Sequence, residues 1–435
     1  MISVYLIIYL LISAVIIIAA LRYKAGYLRY PFWAALTFTG FAIPQFISLA
    51  NTKAYPGHSL EKYIIMATLC IAATHFGFKS GSRAIPSPRF ERFFSRKMDP
   101  SRLRWLSFFY IMIGALFLVR LYSSGAQFAS QRWEGPWVIY KFLSGFMVYG
   151  FVIAADLYLQ AGYKKVDMAL ALSGVMYLLL RSVVHGRRLS AVILFVIICG
   201  LLWFRKRKLV PVSLIIAVVV FGLVISASMH VYRVTVADKL EFSKLKDIDF
   251  IGTFVKSYGE GQALEVLNGC YVIETTDRTL EFDFGASHWN AAVWAYVPRQ
   301  LVGLEFKQSL LLPFNVQEDL YRIFMYIPKT GATLTGIADC YMSLSYAGCI
   351  KFFIIAFILG VLYANAERGS TIAIILYLLL LPHGLVSFTH GTVDFSNSLI
   401  MFGLFLVPGL VLCSFRESSE VQMITNSSIR IFGWN

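Results

Sequence analysis

The sequence predicts an all-α polytopic membrane protein of about eleven transmembrane helices with one large external (periplasmic) loop, and three observations carry the prediction. Apolar blocks of about twenty residues, long enough to cross a hydrocarbon core, succeed one another along most of the chain. Of the 435 residues 58% are hydrophobic, 16% aromatic and 14% charged, a composition that soluble globular chains do not show. Lys and Arg collect in alternate turns between the blocks, as the positive-inside rule requires. The net charge of +15 is therefore mostly topological, and no nucleic-acid partner is expected. Cys70, Cys199, Cys270, Cys340, Cys349 and Cys413 show no CxxC or metal-ligand spacing, so no metal site and no cofactor is expected.

The first block, Ile2 to Leu21, has no basic stretch before it and no small-residue cleavage pattern after it, so it reads as a retained span and not a signal peptide. Arg22, Lys24 and Arg29 follow, which puts that turn in the cytoplasm and the N-terminus outside. Spans two and three cover about Pro31 to Leu49 and Tyr63 to Phe78. They lead to the most basic loop, KSGSRAIPSPRFERFFSRKMDPSRLR, with eight Lys or Arg against two acids, a topogenic and lipid-facing cytoplasmic stretch. Spans four to eight cover about Trp105 to Tyr122, Trp137 to Leu159, Val166 to Val184, Leu189 to Phe204 and Val210 to Ser228, with Lys164, Lys165 and the Arg205 to Lys208 cluster marking the cytoplasmic turns. Residues 1–228 thus form the first part of the bundle, and 229–335 form the external loop, which is membrane-associated. Residues 336–415 hold spans nine to eleven, about Tyr346 to Ala364, Thr371 to Val386 and Ser396 to Leu412, and 416–435 form a short polar cytoplasmic tail.

One turn breaks the charge alternation. RSVVHGRRLS, between spans six and seven, puts Arg181, His185, Arg187 and Arg188 on the external side. Charges at the edge of the apolar region cost about 3 kcal/mol each on insertion scales and call for an anion, a carboxylate or interfacial water. Snorkelling to phospholipid headgroups answers part of that demand. Three arginines and a histidine exceed one headgroup contact, and a guanidinium fork matches phosphate oxygens, so a phosphate or pyrophosphate substrate is the natural partner.

The large loop, from about Met229 to Thr335, supplies the remaining chemistry. Phe250, Phe254, Tyr258, Leu264, Leu267 and Tyr271 recur near helical spacing, which predicts an amphipathic helix lying on the bundle at the interface, interrupted at Gly259 and Gly261. ETTDRTLEFDFG, with Glu274, Asp277, Arg278 and Asp283, reads as acidic and turn-rich. Trp289, Trp294, Tyr296 and Phe314 offer flat faces for sugar rings, although an interfacial aromatic belt is the commoner role of such residues. No nucleotide-binding loop, HExxH or GxSxG pattern occurs, which leaves a soluble nucleotide-sugar donor or a catalytic zinc without support.

FGASHWNAAVWAYVPRQLVGLEFKQ resembles the pattern of oligosaccharide repeat-unit polymerases of the O-antigen polymerase (Wzy) type, in which a Gly-x-Ser-aromatic start leads to a Pro-Arg step. TGIADCYMSLSYAG resembles the block with which that family begins a late span, and HGRRLS its Arg-containing turn before a mid-chain span. On this match Arg187 or Arg188 and Arg299 take the arginine positions, Asp339 stands where the family tends to have Glu, and Tyr341 and Gly348 match directly. His288 replaces a Tyr, Ser345 replaces a Gly, and the Lys-Pro after Pro-Arg is only Lys307-Gln308. The resemblance covers the middle and late chain. It implies a glycosyltransferase of the bacterial inner (cytoplasmic) membrane that joins undecaprenyl-pyrophosphate-linked oligosaccharides on the outer face, among membrane lipids, with a chain-length regulator and a flippase as partners.

Physical chemistry is compatible with that reaction. Pyrophosphate is already a good leaving group, and arginines holding its developing charge stabilise the transition state without a general acid. The acceptor hydroxyl needs a base, for which Asp339 is the first choice, with His288 and Glu274 behind it. As a helix N-terminal acid, Asp339 is equally explained by the dipole. An O-antigen ligase would share the bundle, loop and arginines. A lipid-linked oligosaccharide flippase would be expected to show internal repeats and interrupted spans, and no repeat is seen.

Overall fold

The structure, a computed structural model, describes the chain except residues 1, 86, 124–135, 161, 163, 185, 212, 216, 218–221, 223–230, 233–234, 237–241, 254–263, 329–332 and 416–435, and the side chains of 136–138, 188, 242 and 264. It is all-helical, and ten of its helical segments are long and apolar enough to cross a membrane. The protein is thus a multi-pass membrane protein. Most of the eighth predicted span, Val210 to Ser228, and with it Arg233 of the loop, lies outside the described residues.

The first seven spans are α1 (Ile2–Leu21), α2 (Tyr30–Thr52), α3 (Ser59–Arg83), α5 (Pro100–Ser123), α6 with α7 (Pro136–Ser144 and Phe146–Gln160), α8 (Lys165–Val183) and α9 (Arg188–Lys206), with the short α4 (Pro88–Phe94) in the basic loop. The loop region contributes α10 (Leu264–Thr279), α11 (Ala286–Tyr296), α12 (Arg299–Val302), α13 (Leu304–Ser309) and α14 (Val316–Phe324). Then come α15 (Gly336–Leu344), a 3-10 turn, α16 (Ile350–Glu367), α17 (Thr371–Thr389), and α18 (Val393–Met401), which passes through a π turn into α19 (Val407–Leu412).

Helix α17 is the axis of the bundle. Ile372 to Leu381 are buried on every side, as expected of a helix that is apolar all round, whereas α1 keeps Ile7, Leu11, Val15 and Ile18 exposed as a lipid-facing helix does. Helices α3 and α16 lie backbone to backbone. A methyl group at Gly77 would fall 2.3 Å from the Phe353 carbonyl oxygen, and one at Gly81 2.1 Å from that of Phe357, the close approach that Gly-x-x-x-Gly permits between membrane helices.

At the end that carries the basic turns, arginines bridge helices. Arg205 of α9 forks onto Asp156 of α7 at 2.6 and 2.9 Å and reaches the Thr371 hydroxyl at 2.7 Å. Arg104 of α5 forks onto Asp167 of α8 at 2.6 and 2.9 Å. Arg207 and the Trp203 indole share Glu367, each at 2.5 Å. These cations were expected to serve topology alone; several also hold the bundle together.

At the opposite end the loop helices pack into the bundle. Val266, Cys270, Val272 and Ile273 of α10 are fully buried. The Val266 N–H donates to Gln45 of α2 at 3.1 Å, Lys62 of α3 meets Asp277 at 2.5 Å, and Tyr63 donates to Thr335 at 2.9 Å. The predicted amphipathic helix is therefore present from Leu264 but inserted between α2, α3 and α15 instead of lying flat. Its stretch 254–263 lies outside the described residues. Glu274 to Thr279, expected as a turn, continues α10, because Glu274 pairs with Arg278 one turn on (3.2 Å) and Asp277 is drawn to Lys62. Span nine also begins earlier than expected, at Gly336 and not Tyr346, since the polar residues of α15 lower its hydropathy without preventing its burial.

Candidate functional site

The site is built where α15 enters the bundle, under α11 and beside the turn joining α17 to α18. Thr335 caps α15 by accepting the Ala338 N–H at 3.5 Å, which puts Asp339 in the first turn of the helix, 7% exposed. One carboxylate oxygen accepts from Lys351 of α16 at 2.9 Å; the other accepts from the Thr392 N–H at 2.8 Å and from the Thr392 hydroxyl. All of these donors come from the protein itself, so Asp339 is committed to internal partners.

The Thr392 hydroxyl also meets His288 Nε2 of α11 at 2.9 Å. A hydroxyl has one proton, and here it goes to the carboxylate, so His288 must donate from Nε2. The lone pair of the neutral ring is then on Nδ1, which is buried and has no hydrogen-bond partner among the described residues. Burial, reinforced by the Lys351 charge, holds the His288 pKa below the ordinary imidazole value, and the carboxylates of Asp339 and Asp283 only partly oppose this. The ring is neutral at pH 7. A proton taken on Nδ1 would be stabilised through Thr392 by Asp339, the same division of labour by which an orienting carboxylate supports a catalytic imidazole.

Asp283 fastens the two sides of the site. It accepts from Gly285 N–H at 2.9 Å, at the start of α11, and from the Ser343 hydroxyl at 2.5 Å, at the end of α15, while its own N–H donates to the Met342 carbonyl at 3.1 Å. Burial pushes its pKa up, but the hydrogen bonds from Ser343, Gly285 and Ser287, with the Lys351 charge, outweigh that and leave it below the usual carboxylate range. Phe284, Thr335 and Ser345, non-glycine residues with positive φ, border the same site, and backbone strain of this kind persists where surrounding contacts over-determine it.

The predicted residues divide into three groups. Asp339 and His288 belong to one network. Tyr341, two residues along α15 and on another face, donates to Asp277 at 2.7 Å and joins the Lys62 pair. Glu274 pairs with Arg278, and no described contact links it to His288 or Asp339. Arg181 reaches the Tyr177 hydroxyl at 3.3 Å, the Arg187 N–H donates to the Arg181 carbonyl at 3.0 Å, and both charges act on Lys141. His185 and the Arg188 side chain lie outside the described residues. Arg299 is exposed, and its charge acts on Lys307. Among the described residues no hydrogen bond, ion pair or ring contact joins Arg299 to the Arg181–Arg187 turn.

Of the aromatic residues, Trp289 donates to the Leu310 carbonyl at 2.7 Å, and Trp294 carries the Lys307 ammonium 4.8 Å from its ring centroid. Tyr296 donates to the Asn397 carbonyl at 2.6 Å, and Phe314 packs against the buried cluster of Val272, Leu320, Ala338 and Met342.

Lys351, Thr392 and Ser343 were not foreseen, Asp283 was read only as part of an acidic, turn-rich stretch, and the neighbouring pair in which His383 Nδ1 meets Asp394 at 2.8 Å was not foreseen either. Lys351 and His383 had a signal, since each is a lone ionisable residue inside an apolar block, and such residues face the interior and find partners. Among the described residues no three His, Cys, Asp or Glu side chains converge as a metal site. Comparison with protein-family models, with curated proteins and with solved structures finds no match.

Proposed function

We propose that this protein is a membrane glycosyltransferase that takes a polyprenyl-pyrophosphate-linked oligosaccharide as donor and polymerises repeat units on the outer face of a bacterial inner membrane. The observation that supports the reading best is the relay His288–Thr392–Asp339–Lys351, which ends in an imidazole nitrogen with no partner. In the proposed step His288 Nδ1 takes the proton of the acceptor hydroxyl and the acceptor oxygen bonds to the anomeric carbon. As that bond forms, the carbon–oxygen bond to pyrophosphate breaks, with its electron pair leaving on the phosphate. Asp339 is assigned the role of orienting group, not base, because Lys351 and Thr392 already occupy both of its oxygens. Arg299, and Arg181 with Arg187, are the cations proposed to meet the pyrophosphate charge.

The deciding experiment compares surface polysaccharide from a deletion strain with its parent on a gel. Single repeat units on the core are the expected result; loss of all glycan from the core would point to a ligase instead. Reporter fusions after Lys97, Lys165 and Arg207 are expected to be cytoplasmic and one at Asp277 external, and an internal Asp277 would overturn the proposed orientation.

One observation favours a second reading, a lipid-linked oligosaccharide transporter. The span Gly336–Glu367 is interrupted at Ser345, next to a buried lysine–carboxylate pair, and interrupted helices with such pairs line transport sites. Undecorated lipid-linked units accumulating on the outer leaflet of the deletion strain would exclude it; retention on the inner leaflet would favour it.

A further inference from the structure

The segment from Pro298 to Lys307 is inside out for a water-facing loop. Leu301 is 84% exposed, Phe306 54%, Leu304 45% and Val302 40%, and every residue from Pro298 to Phe306 is exposed, while the one buried side chain is Lys307. In water the order is normally reversed, with Lys among the residues least often buried. The lysine is withdrawn toward the protein, donating to the Trp294 carbonyl at 2.9 Å, and the apolar groups are turned out. We infer that α12, α13 and the turn between them form an in-plane membrane anchor, whose Leu301, Val302, Leu304 and Phe306 are inserted among the lipids of the leaflet on the loop side of the bundle.

Depth, continuity and charge identify the occupant as lipid. The last residue of α11, Tyr296, donates to the carbonyl of Asn397 at 2.6 Å, and Asn397 lies four residues into the bilayer-length segment Val393–Leu412. At 1.5 Å per residue the anchor therefore starts about 6 Å below the top of a membrane span. Leu399, Ile400 and Leu404 of that span are themselves exposed, so the apolar face of the anchor continues a lipid-facing surface. Exposed Trp289 and Trp294 on α11 suit the headgroup level, and exposed Arg299 suits the level of the phosphates. His288 is eight residues from the end of α11, so the helix would act as a strut of about 12 Å between the leaflet and the relay.

The inference does not depend on the proposed reaction, and its test reads no activity. The full chain is reconstituted in phosphatidylcholine–phosphatidylglycerol vesicles with a spin label at Leu301→Cys, at Phe306→Cys, or at Glu318→Cys on the exposed face of α14. The unsubstituted chain, whose cysteines are buried or half-buried, gives the background. Labels at 301 and 306 are expected to relax faster with dissolved oxygen than with a water-soluble nickel chelate, and the label at 318 the reverse. If the 301 and 306 labels respond to the nickel chelate as the 318 label does, the segment lies in water and the inference is wrong. If they respond to neither reagent, a protein surface covers the segment, and the inference is equally wrong.

Discussion

The two ends of the bundle both bury carboxylates, and they hold them differently. At the basic end Asp156 and Asp167, both fully buried, each face an arginine fork with two short bonds, and Gln160 and Thr371 take up further hydrogen bonding around the Asp156 pair. At the loop end Asp339 is held by a lysine, a backbone N–H and a hydroxyl, and the chain of bonds runs on to an imidazole nitrogen that has no partner. A bidentate guanidinium pair fixes geometry and leaves nothing able to titrate near neutrality, because arginine keeps its proton. A lysine, a hydroxyl and an imidazole form a relay in which protons can change places. The first arrangement binds helices to one another; the second is suited to chemistry.

The largest expected difference is between His288 and Arg205. If the proposed reaction holds, His288→Gln should reduce polymer formation by about a hundredfold or more, the usual contribution of a general base, with the protein present in the membrane at its normal level. The corresponding change at the other end should act on the fold. Arg205→Ala leaves Asp156 buried with Gln160 but without its cation, a loss of about 3–5 kcal/mol for a broken buried pair. Thermal unfolding in detergent should show that loss, and the double variant Asp156→Leu, Arg205→Met should recover most of it. If His288→Gln destabilises as much as Arg205→Ala and spares activity in the molecules that remain folded, the contrast between the ends fails.

The bundle was largely legible in the sequence, for a reason that also explains what was missed. A bilayer demands an apolar block of fixed length, so α1, α3, α8 and α17 stand at or within a few residues of the expected spans. The same averaging conceals single polar residues. Lys351 and His383 disappear into blocks whose mean hydropathy is high, and α15, carrying Asp339, Tyr341 and Ser343, disappears from the span altogether. Gly77 and Gly81 have the spacing of a close helix crossing, but Gly81 falls in the basic loop beyond the predicted span, and the partner, α16, could not be named. The relay itself joins residues 288, 339, 351 and 392, separated by loops whose folding no local pattern encodes. Asp339 and His288 were singled out, but their division of roles rests on Thr392, a residue with no signal of its own.

A smaller effect sharpens the account of the loop end. The proposed base His288 could act only when neutral, and its pKa lies below the ordinary imidazole value. Activity should therefore be level near pH 7 and fall as the pH drops through that lowered pKa. Lys351 is one of the causes of the lowering, since a nearby cation disfavours the imidazolium. Lys351→Met should consequently move the acid limb to higher pH, and Asp339→Asn, which removes an anion that favours the imidazolium, should move it to lower pH. The pH–rate profiles of the two variants must shift in opposite directions. Shifts in the same direction would mean that the acid limb belongs to another group.

The smallest effect concerns Ser345, which stands where the resembled family has glycine and which ends α15 with φ +51° and ψ −139°. That conformation is open to glycine without steric penalty and costs other residues about 1–3 kcal/mol. Ser345→Gly removes the side-chain strain in the folded state but frees the unfolded chain, which returns up to about 1 kcal/mol. The net gain is therefore expected to be about 1 kcal/mol, seen as a small rise in unfolding temperature. The same substitution takes away a serine hydroxyl near the Tyr341 phenol, which itself donates to Asp277, away from Asp339. Polymer formation should accordingly be unchanged. A gain in stability with a loss of polymer would show that strain at the break between α15 and α16 is used by the site, and would move Ser345 from the scaffold into the mechanism.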